Sequence, residues 1–363
     1  MAHRYNAILA AALALAACST PVARVPDIDR DRARAEAAVQ NAAVLERGPM
    51  PRHVTRLASD PIARDLQEAA RITHIGWRIL TAGAALCGDR TGHQIGALFE
   101  TIHDVTPLRD MWYDFIRLDN DAVTMAVAPG SPAEQAGLKP GDTVLAVDGG
   151  RLLRGKVAVE QLQQALDRSG PISMEVLRGE QNLTLTVEPV QTCRSRLRHD
   201  RWSGVNAFAD GKTIAVTAGM VNFITDDDHL AAAIGHELAH NMMGHLEKQD
   251  ENGKAAGRFG SFLSALTGAP ELESHWTKLG ERAYSRAFEA EADYVGLYFA
   301  AIAGFDIAKA PQFWRRMAAA NPLTISHASS HPTTPDRYVA LEDTAREIAA
   351  KQAQGTPLKP ERK

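Results

Sequence analysis

Residues 235–245 read GHELAHNMMGH. His236 and His240 are four positions apart, so on a helix they stand one turn from each other on one face, where two imidazoles can reach one ion. Glu237 lies between them. Zinc takes neutral imidazole ligands and leaves a coordination position for water, and that water needs a carboxylate base nearby. These residue types at this spacing therefore point to metal-assisted hydrolysis. In a chain of 363 residues with 13 histidines the pattern His-Glu-x-x-His also arises by chance, so its surroundings must decide.

The motif needs a helix, and the text supplies one. Acidic residues at 226–228 open an apolar run through the motif, which suits the positive end of a helix dipole. Before it, NAFADGKTIAVTAG reads as a strand around Ile214 to Val216 and a turn; that strand is placed to hold a substrate extended. Further on, ERAYSRAFEAEADYVGLYFAAIAGF is a second helical pattern with Glu289 and Asp293 four apart on one face. One carboxylate from it would complete a two-histidine, one-carboxylate site, and an aspartate one turn on would orient a ligand histidine. His245 packs in this reading and does not bind metal. His74, His93 and His103 read as surface or core residues.

Composition bounds the class. The chain is 45% hydrophobic and 23% charged, which is ordinarily globular, and long enough for two domains. A formal net charge of -4 carries no basic excess, and nucleic-acid binding is set aside.

The N-terminus addresses the chain for export. His3 and Arg4 precede AILAAALALAA, an apolar run too short to span a bilayer, and Cys18 follows at once. Leu15, Ala16, Ala17 and Cys18 resemble the lipobox of bacterial lipoproteins, in which the cysteine becomes the lipidated terminus; an ordinary cleavage site near Ala17 is the alternative. Ser19 in place of aspartate points, by that resemblance, to the periplasmic face of the outer membrane. Cys87 and Cys193 remain as a pair that an oxidising periplasm would join, with two separate buried thiols as the other reading. The bond would enclose residues 88–192, stabilising by about 4 to 5 kcal/mol in the chain-entropy model.

The rest divides by texture. Residues 1–17 form a signal peptide, 18–50 a lipid-anchored tether of low order, 51–111 an N-terminal helical segment, and 351–363 a disordered tail. Asp60 and Pro61 open a helix in the third of these stretches. In AVTMAVAPGSPAEQAGLKPGDTVLAVDGG a strand, a short helix, a turn and a second strand follow in order, then VEQLQQALDRSG gives a longer helix and a hairpin closes around Arg178 and Gly179. Residues 112–190 thus resemble a PDZ domain of the bacterial protease type. Such domains add an extended peptide to a sheet edge; a spacer role is the other reading. The glycine loop that receives a peptide carboxylate would lie near MWYDFIRLDN, which has no glycine, and Asp119 and Asp121 would repel an anion there.

NAFA, HELAH, FEAEAD and HPTTPDR, in that order within 195–345, resemble the gluzincin peptidases that include the CAAX prenyl proteases, the HtpX-type membrane proteases and the periplasmic BepA-type lipoproteins. The resemblance implies one Zn2+ per chain on His236, His240 and Glu289, with Glu237 as general base, Asp293 as partner of His236, and His331 and Arg337 near the cleft as gate or transition-state support. It sets Glu291 aside as a ligand, since two residues turn a helical side chain about 200° away. The implied fold is α+β: a mainly helical zincin-type catalytic domain over 195–350 with a small edge sheet, plus a PDZ β-sandwich. The implied function is an endopeptidase acting on misfolded or misassembled envelope proteins in the periplasm, held to the membrane by its N-terminal lipid. The alternative is a PDZ-based adaptor or chaperone-like lipoprotein with a silent or structural metal site.

Overall fold

The structure is a computed structural model that describes residues 22–24, 61–105, 119–254, 261, 285–320 and 335–362. Cys18, the signal peptide and His331 lie outside these residues. The chain is α+β and divides into two compact units, one holding 48–237 with 298–310, the other 1–47, 238–297 and 311–363. No helix among the described residues is long and apolar enough to cross a membrane.

The first unit opens with helix α1 (Pro61–Ala82), followed by strands β1 (Thr91–Gln94) and β2 (Ala97–Glu100). Then come β3 (Ala122–Val127), short α2 (Pro132–Gln135), β4 (Thr143–Val147), β5 (Gly150–Arg151), α3 (Ala158–Leu166), β6 (Ile172–Arg178) and β7 (Gln181–Val187). They form a six-stranded antiparallel sheet in the order β2-β3-β4-β6-β7, with β5 on β4. One face buries Leu162, Leu166 and Ala158 of α3 against Val144, Met174 and Val176. The other packs Val123, Met125 and Leu98 under Ile62 and Ala69 of α1. Covered on both faces, β3 is buried along nearly its whole length, which is why AVTMAV shows no polar alternation.

Two sequence expectations change here. The sheet begins at Ala97, inside the stretch expected to be helical, because β2 pairs antiparallel with β3 from Ala97↔Val127 to Glu100↔Val123. The turn that leads into this edge strand is Gln94-Ile95-Gly96, so a glycine does stand there. Gly96 has φ +79, and a Cβ on it would lie 2.4 Å from the Ser131 Cβ, so both backbone and space require glycine. Asp119 and Asp121 are met by one guanidinium, Arg154, at 2.7 and 2.9 Å, which offsets the repulsion expected of them.

Strand β8 (Val190–Cys193) returns beside β1 with Thr91 opposite Cys193. Cys87 and Cys193 are disulfide-bonded, with Cα atoms 5.5 Å apart. Strands β9 (Arg196–Asp200), β10 (Ala207–Ala209) and β11 (Thr213–Thr217) then make a small sheet in the order β10-β11-β9. Val216 belongs to the central strand, paired on one side with Ala207 and on the other with His199. It therefore has no open edge for a substrate, contrary to the sequence reading; the outer strands are β9 and β10.

An ionic knot ties α1, β2 and β9 together. The Arg201 guanidinium lies 2.6 Å from both Asp65 and Glu100, while His199 Nε2 stands 3.0 Å from Glu68. Asp65, Glu68 and His199 are residue types that hold metals, and their ligand atoms lie within 4.8 Å of one another. Of these, Asp65 is also paired with Arg201. Burial pushes the Glu100 carboxyl up despite that guanidinium.

Helix α4 (Ala218–Phe223) leads to α5 (Asp227–Met243), whose first turn carries Asp227 and Asp228. Lys309 holds Asp226 at 3.1 Å and also pairs with Asp228, fixing the start of the helix that carries the motif.

The second unit holds the end of α5 and most of α6 (Ser285–Ile302), together with α7 (Ala310–Ala320), whose first residue lies in the other unit, and α8 (Pro335–Ala353). Phe288, Phe313, Val339, Leu341 and Ile348 are buried here. The segment expected as a disordered tail is fixed instead. Lys351 donates to the Lys359 carbonyl at 2.9 Å, the Glu361 amide donates to the Tyr294 hydroxyl at 3.1 Å, and Arg362 bridges Ala23. The tether reading also changes at residues 22–24, since the amides of Val22 and Ala23 donate to Glu291.

Candidate metal centre

Helix α5 is buried on every side: Leu230, Ile234, Leu238 and Ala239 are inaccessible, and so are His236 and Glu237. Such a helix gives no amphipathic signal, and only its polar residues show where it faces the centre. His236 and His240 project from successive turns. Glu289 comes from α6, and the ligand atoms of these three residues lie within 4.8 Å of one another. His240 Nε2 stands 3.2 Å from Glu289 Oε1. Two imidazoles and one carboxylate converging in a buried place form a donor set suited to a divalent transition metal, with ligand positions to spare.

Arg337, on α8, holds the carboxylates of α6. Its Nε and Nη2 donate to the two oxygens of Asp293, each at 2.7 Å, and its Nη1 lies 3.2 Å from Glu289 Oε2. The guanidinium also stacks over Trp314, 4.3 Å from the ring centroid. Burial acts to lower its pKa, but Asp293 and Glu289 outweigh this and raise it, so the charge is permanent. Arg337 was expected as a gate or transition-state contact; it is a buried clamp on Glu289 and Asp293. Asp293, assigned by resemblance to His236, gives both oxygens to Arg337. Glu289 and Asp293 share a helix face, one turn apart, which lets one guanidinium engage both.

Glu291 lies on the other side of α6 and is fully buried. Helix α5 ends at Gly244, whose φ of +64 turns the chain as a left-handed cap. His245 thereby leaves the helix face on which spacing alone would put it, and its ring meets His240 edge-on at 4.8 Å. His245 Nδ1 is 2.9 Å from His240 Nδ1, and His245 Nε2 is 2.9 Å from Glu291 Oε2. Burial pushes the His245 imidazole down to about 4 against the pull of Glu291. Burial would raise Glu291, but its bonds from His245 and the Ala23 amide win and hold it below the usual carboxylate range. The sequence reading kept His245 from the metal and set Glu291 aside, but it missed that the two meet; Gly244 was the signal that could have shown it.

A second feature belongs to the first unit. A cavity of about 600 Å³ is lined by Leu98 and Phe99 of β2, by Val159 and Gln163 of α3, and by β9 from Arg196 to Asp200 with Trp202. Strand β2 is the last strand of its sheet among the described residues, so it has an unpaired edge.

Ligand-type side chains of α5 and α6 converge, and the antiparallel sheet carries a cavity at β2. Residues 197–345 match the model of Peptidase family M48, and residues 123–178 match a PDZ domain. Over 156 residues, 38% of the chain, it is 34% identical to the mitochondrial metalloendopeptidase OMA1 of Danio rerio. It is 31% identical over 163 residues, 39% of the chain, to the "Putative beta-barrel assembly-enhancing protease" of Vibrio cholerae. The match covers 33% of each of these two relatives, so the chain spans about a third of their length. An 82-residue stretch, 23% of the chain, is 28% identical to the serine protease HTRA1 of Xenopus laevis and covers 17% of it.

Proposed function

We propose that this protein is a zinc-dependent endopeptidase of the bacterial cell envelope that hydrolyses misfolded or misassembled envelope proteins. The observation that carries the reading is the convergence of His236, His240 and Glu289 within 4.8 Å, with Glu237 between the two histidines on the same helix. Those three residues would hold one Zn2+, which supplies Lewis acidity toward the scissile carbonyl and acidifies water. Glu237 takes the proton of the attacking water as the new C–O bond forms, then delivers it to the amine nitrogen as the C–N bond breaks. Arg337 holds Glu289 in its orientation. An extended substrate segment adds to the edge of β2 in the groove beside α3, so the PDZ domain recruits the protein that the peptidase cuts. The relative in Vibrio cholerae is named for beta-barrel assembly, which accords with the export signal and lipobox at Cys18; we place the protein in the periplasm, lipid-anchored at the outer membrane.

The test is metal analysis of the purified full chain together with cleavage of an unfolded protein. The reading requires about one zinc per chain and proteolysis that Glu237→Gln abolishes while zinc stays bound. Turnover unchanged in that variant would overturn it.

A further inference from the structure

We propose that His245 and Glu291 are positioning residues of the metal centre: they fix the ring of His240 and select the nitrogen it offers to the ion, and the backbone amides of Val22 and Ala23 form the outer end of the same chain of hydrogen bonds. This rests on the zinc reading above. The argument runs from outside inwards. A carboxylate only accepts hydrogen bonds. Glu291 Oε1 accepts from the amide of Val22 at 2.5 Å and from that of Ala23, and Oε2 faces His245 Nε2 at 2.9 Å. Nε2 of His245 must therefore carry the hydrogen. In a neutral imidazole its Nδ1 is then a lone pair.

That lone pair faces His240 Nδ1 at 2.9 Å, so the hydrogen between the two rings belongs to His240. The remaining nitrogen of His240, Nε2, then carries the lone pair a metal would take, and it is Nε2 that lies 3.2 Å from Glu289. One buried carboxylate thus decides a tautomer two residues away. The ring planes are held as well: His245 stacks on Phe288 with centroids 4.7 Å apart and meets His240 edge-on. Both His245 and Glu291 are closed to solvent, so water cannot replace either partner. Partners of this kind behind a metal-binding histidine typically govern affinity by about 10- to 100-fold.

The test measures zinc dissociation constants of the full-length protein by chelator competition, with the melting temperature of the metal-free form measured beside them. His245→Phe keeps the stacking surface and removes both ring nitrogens; Glu291→Gln keeps the shape and ends the obligatory acceptor. Each is expected to weaken zinc binding by about 10- to 100-fold. His245→Gln, which can still donate outward and accept inward, is expected to recover most of that loss. Ala23→Pro, which deletes one outer amide, is expected to weaken zinc a few-fold. Variants that bind zinc within twofold of the wild type overturn the proposal and leave the peptidase reading intact. Losses that track the melting temperature of the metal-free form, without rescue by His245→Gln, also overturn it, since they mark a packing role. Should His245→Phe fail to fold, Glu291→Gln decides. A wild-type chain that holds no zinc removes both readings.

Discussion

Arg337 Nη1 lies 3.2 Å from Glu289 Oε2, while the other oxygen of Glu289 lies 3.2 Å from His240 Nε2. The carboxylate is thus shared between a fixed cation and the side that faces the histidines. Its orientation is set before any ion arrives.

Arg337→Ala leaves Glu289 and Asp293 buried without their counter-charge. Breaking a buried pair from one side costs about 3 to 5 kcal/mol. Urea unfolding of the metal-free protein should show a loss of that size. A loss under about 1 kcal/mol would mean that water reaches the site and the clamp has little weight.

Glu289→Ala removes a proposed ligand outright, whereas Glu291→Gln acts through two histidines. The expected contrast is graded. After dialysis, Glu289→Ala should retain well under one zinc per chain, and Glu291→Gln should still fill at saturating zinc. Undiminished zinc in Glu289→Ala would reassign the third ligand.

Glu237→Gln keeps the side chain's shape and removes its capacity to take a proton. Loss of general-base transfer costs about 100- to 10,000-fold in rate. Zinc content should stay at the wild-type level. Comparable cleavage rates for variant and wild type would sink the mechanism.

Much of the centre was legible because it rests on spacing. Spacing alone puts His236 and His240 one turn apart and Glu289 and Asp293 one turn apart, since periodicity needs no tertiary knowledge; that Glu289 is the one to join the histidines came from the family resemblance. What escaped depends on contacts between distant segments. Strand β2 was missed because TGHQIGALFE is short and lies beyond residues 106–118, which interrupt the pattern leading to β3; only pairing with Val123 to Val127 makes it a strand. Val216 looked like a substrate strand because its β-branched run says "strand" without saying which of its neighbours are taken. Glu291 was set aside by helix geometry correctly as to direction, but the residue waiting on that other face, His245, arrives there only through the left-handed turn at Gly244.

Deleting the PDZ sheet is a poor test of recruitment, because Val123 and Met125 cover one face of α1 and their loss would expose it. A point change in the groove is cleaner. Val159 is partly buried in the cavity beside β2, and Val159→Arg should block an added strand without unroofing α1. We expect cleavage of large unfolded proteins to fall at least several-fold while short peptides are cut at the wild-type rate. Equal losses on both would show that the module supports the fold and does not recruit.

The membrane prediction follows from the docking of residues 22–24. If Cys18 bears the lipid, the slack between anchor and folded body is only Ser19 to Pro21, since the amides of Val22 and Ala23 are held by Glu291 and Arg24 N donates to the Glu361 carbonyl at 2.9 Å. Four virtual bonds span at most about 14 Å, much less than a free tether of some thirty residues would reach, about 30 Å. With a lipid on Cys18 the second unit would be held close to the membrane surface, and the anchor would act on the same segment that completes the bonds to Glu291. Cys18→Ser should move the protein to the soluble fraction, with zinc content and cleavage of a soluble unfolded protein unchanged, because the amides remain in place without the lipid. Inserting ten Gly/Ser residues after Ser19 in the lipidated protein should keep it in the membrane fraction and leave zinc affinity unchanged. A Cys18→Ser protein that still sediments with membranes refutes the lipid anchor. Weaker zinc binding in the insertion variant would show instead that tension from the anchor, and not the amides alone, holds Glu291 in place.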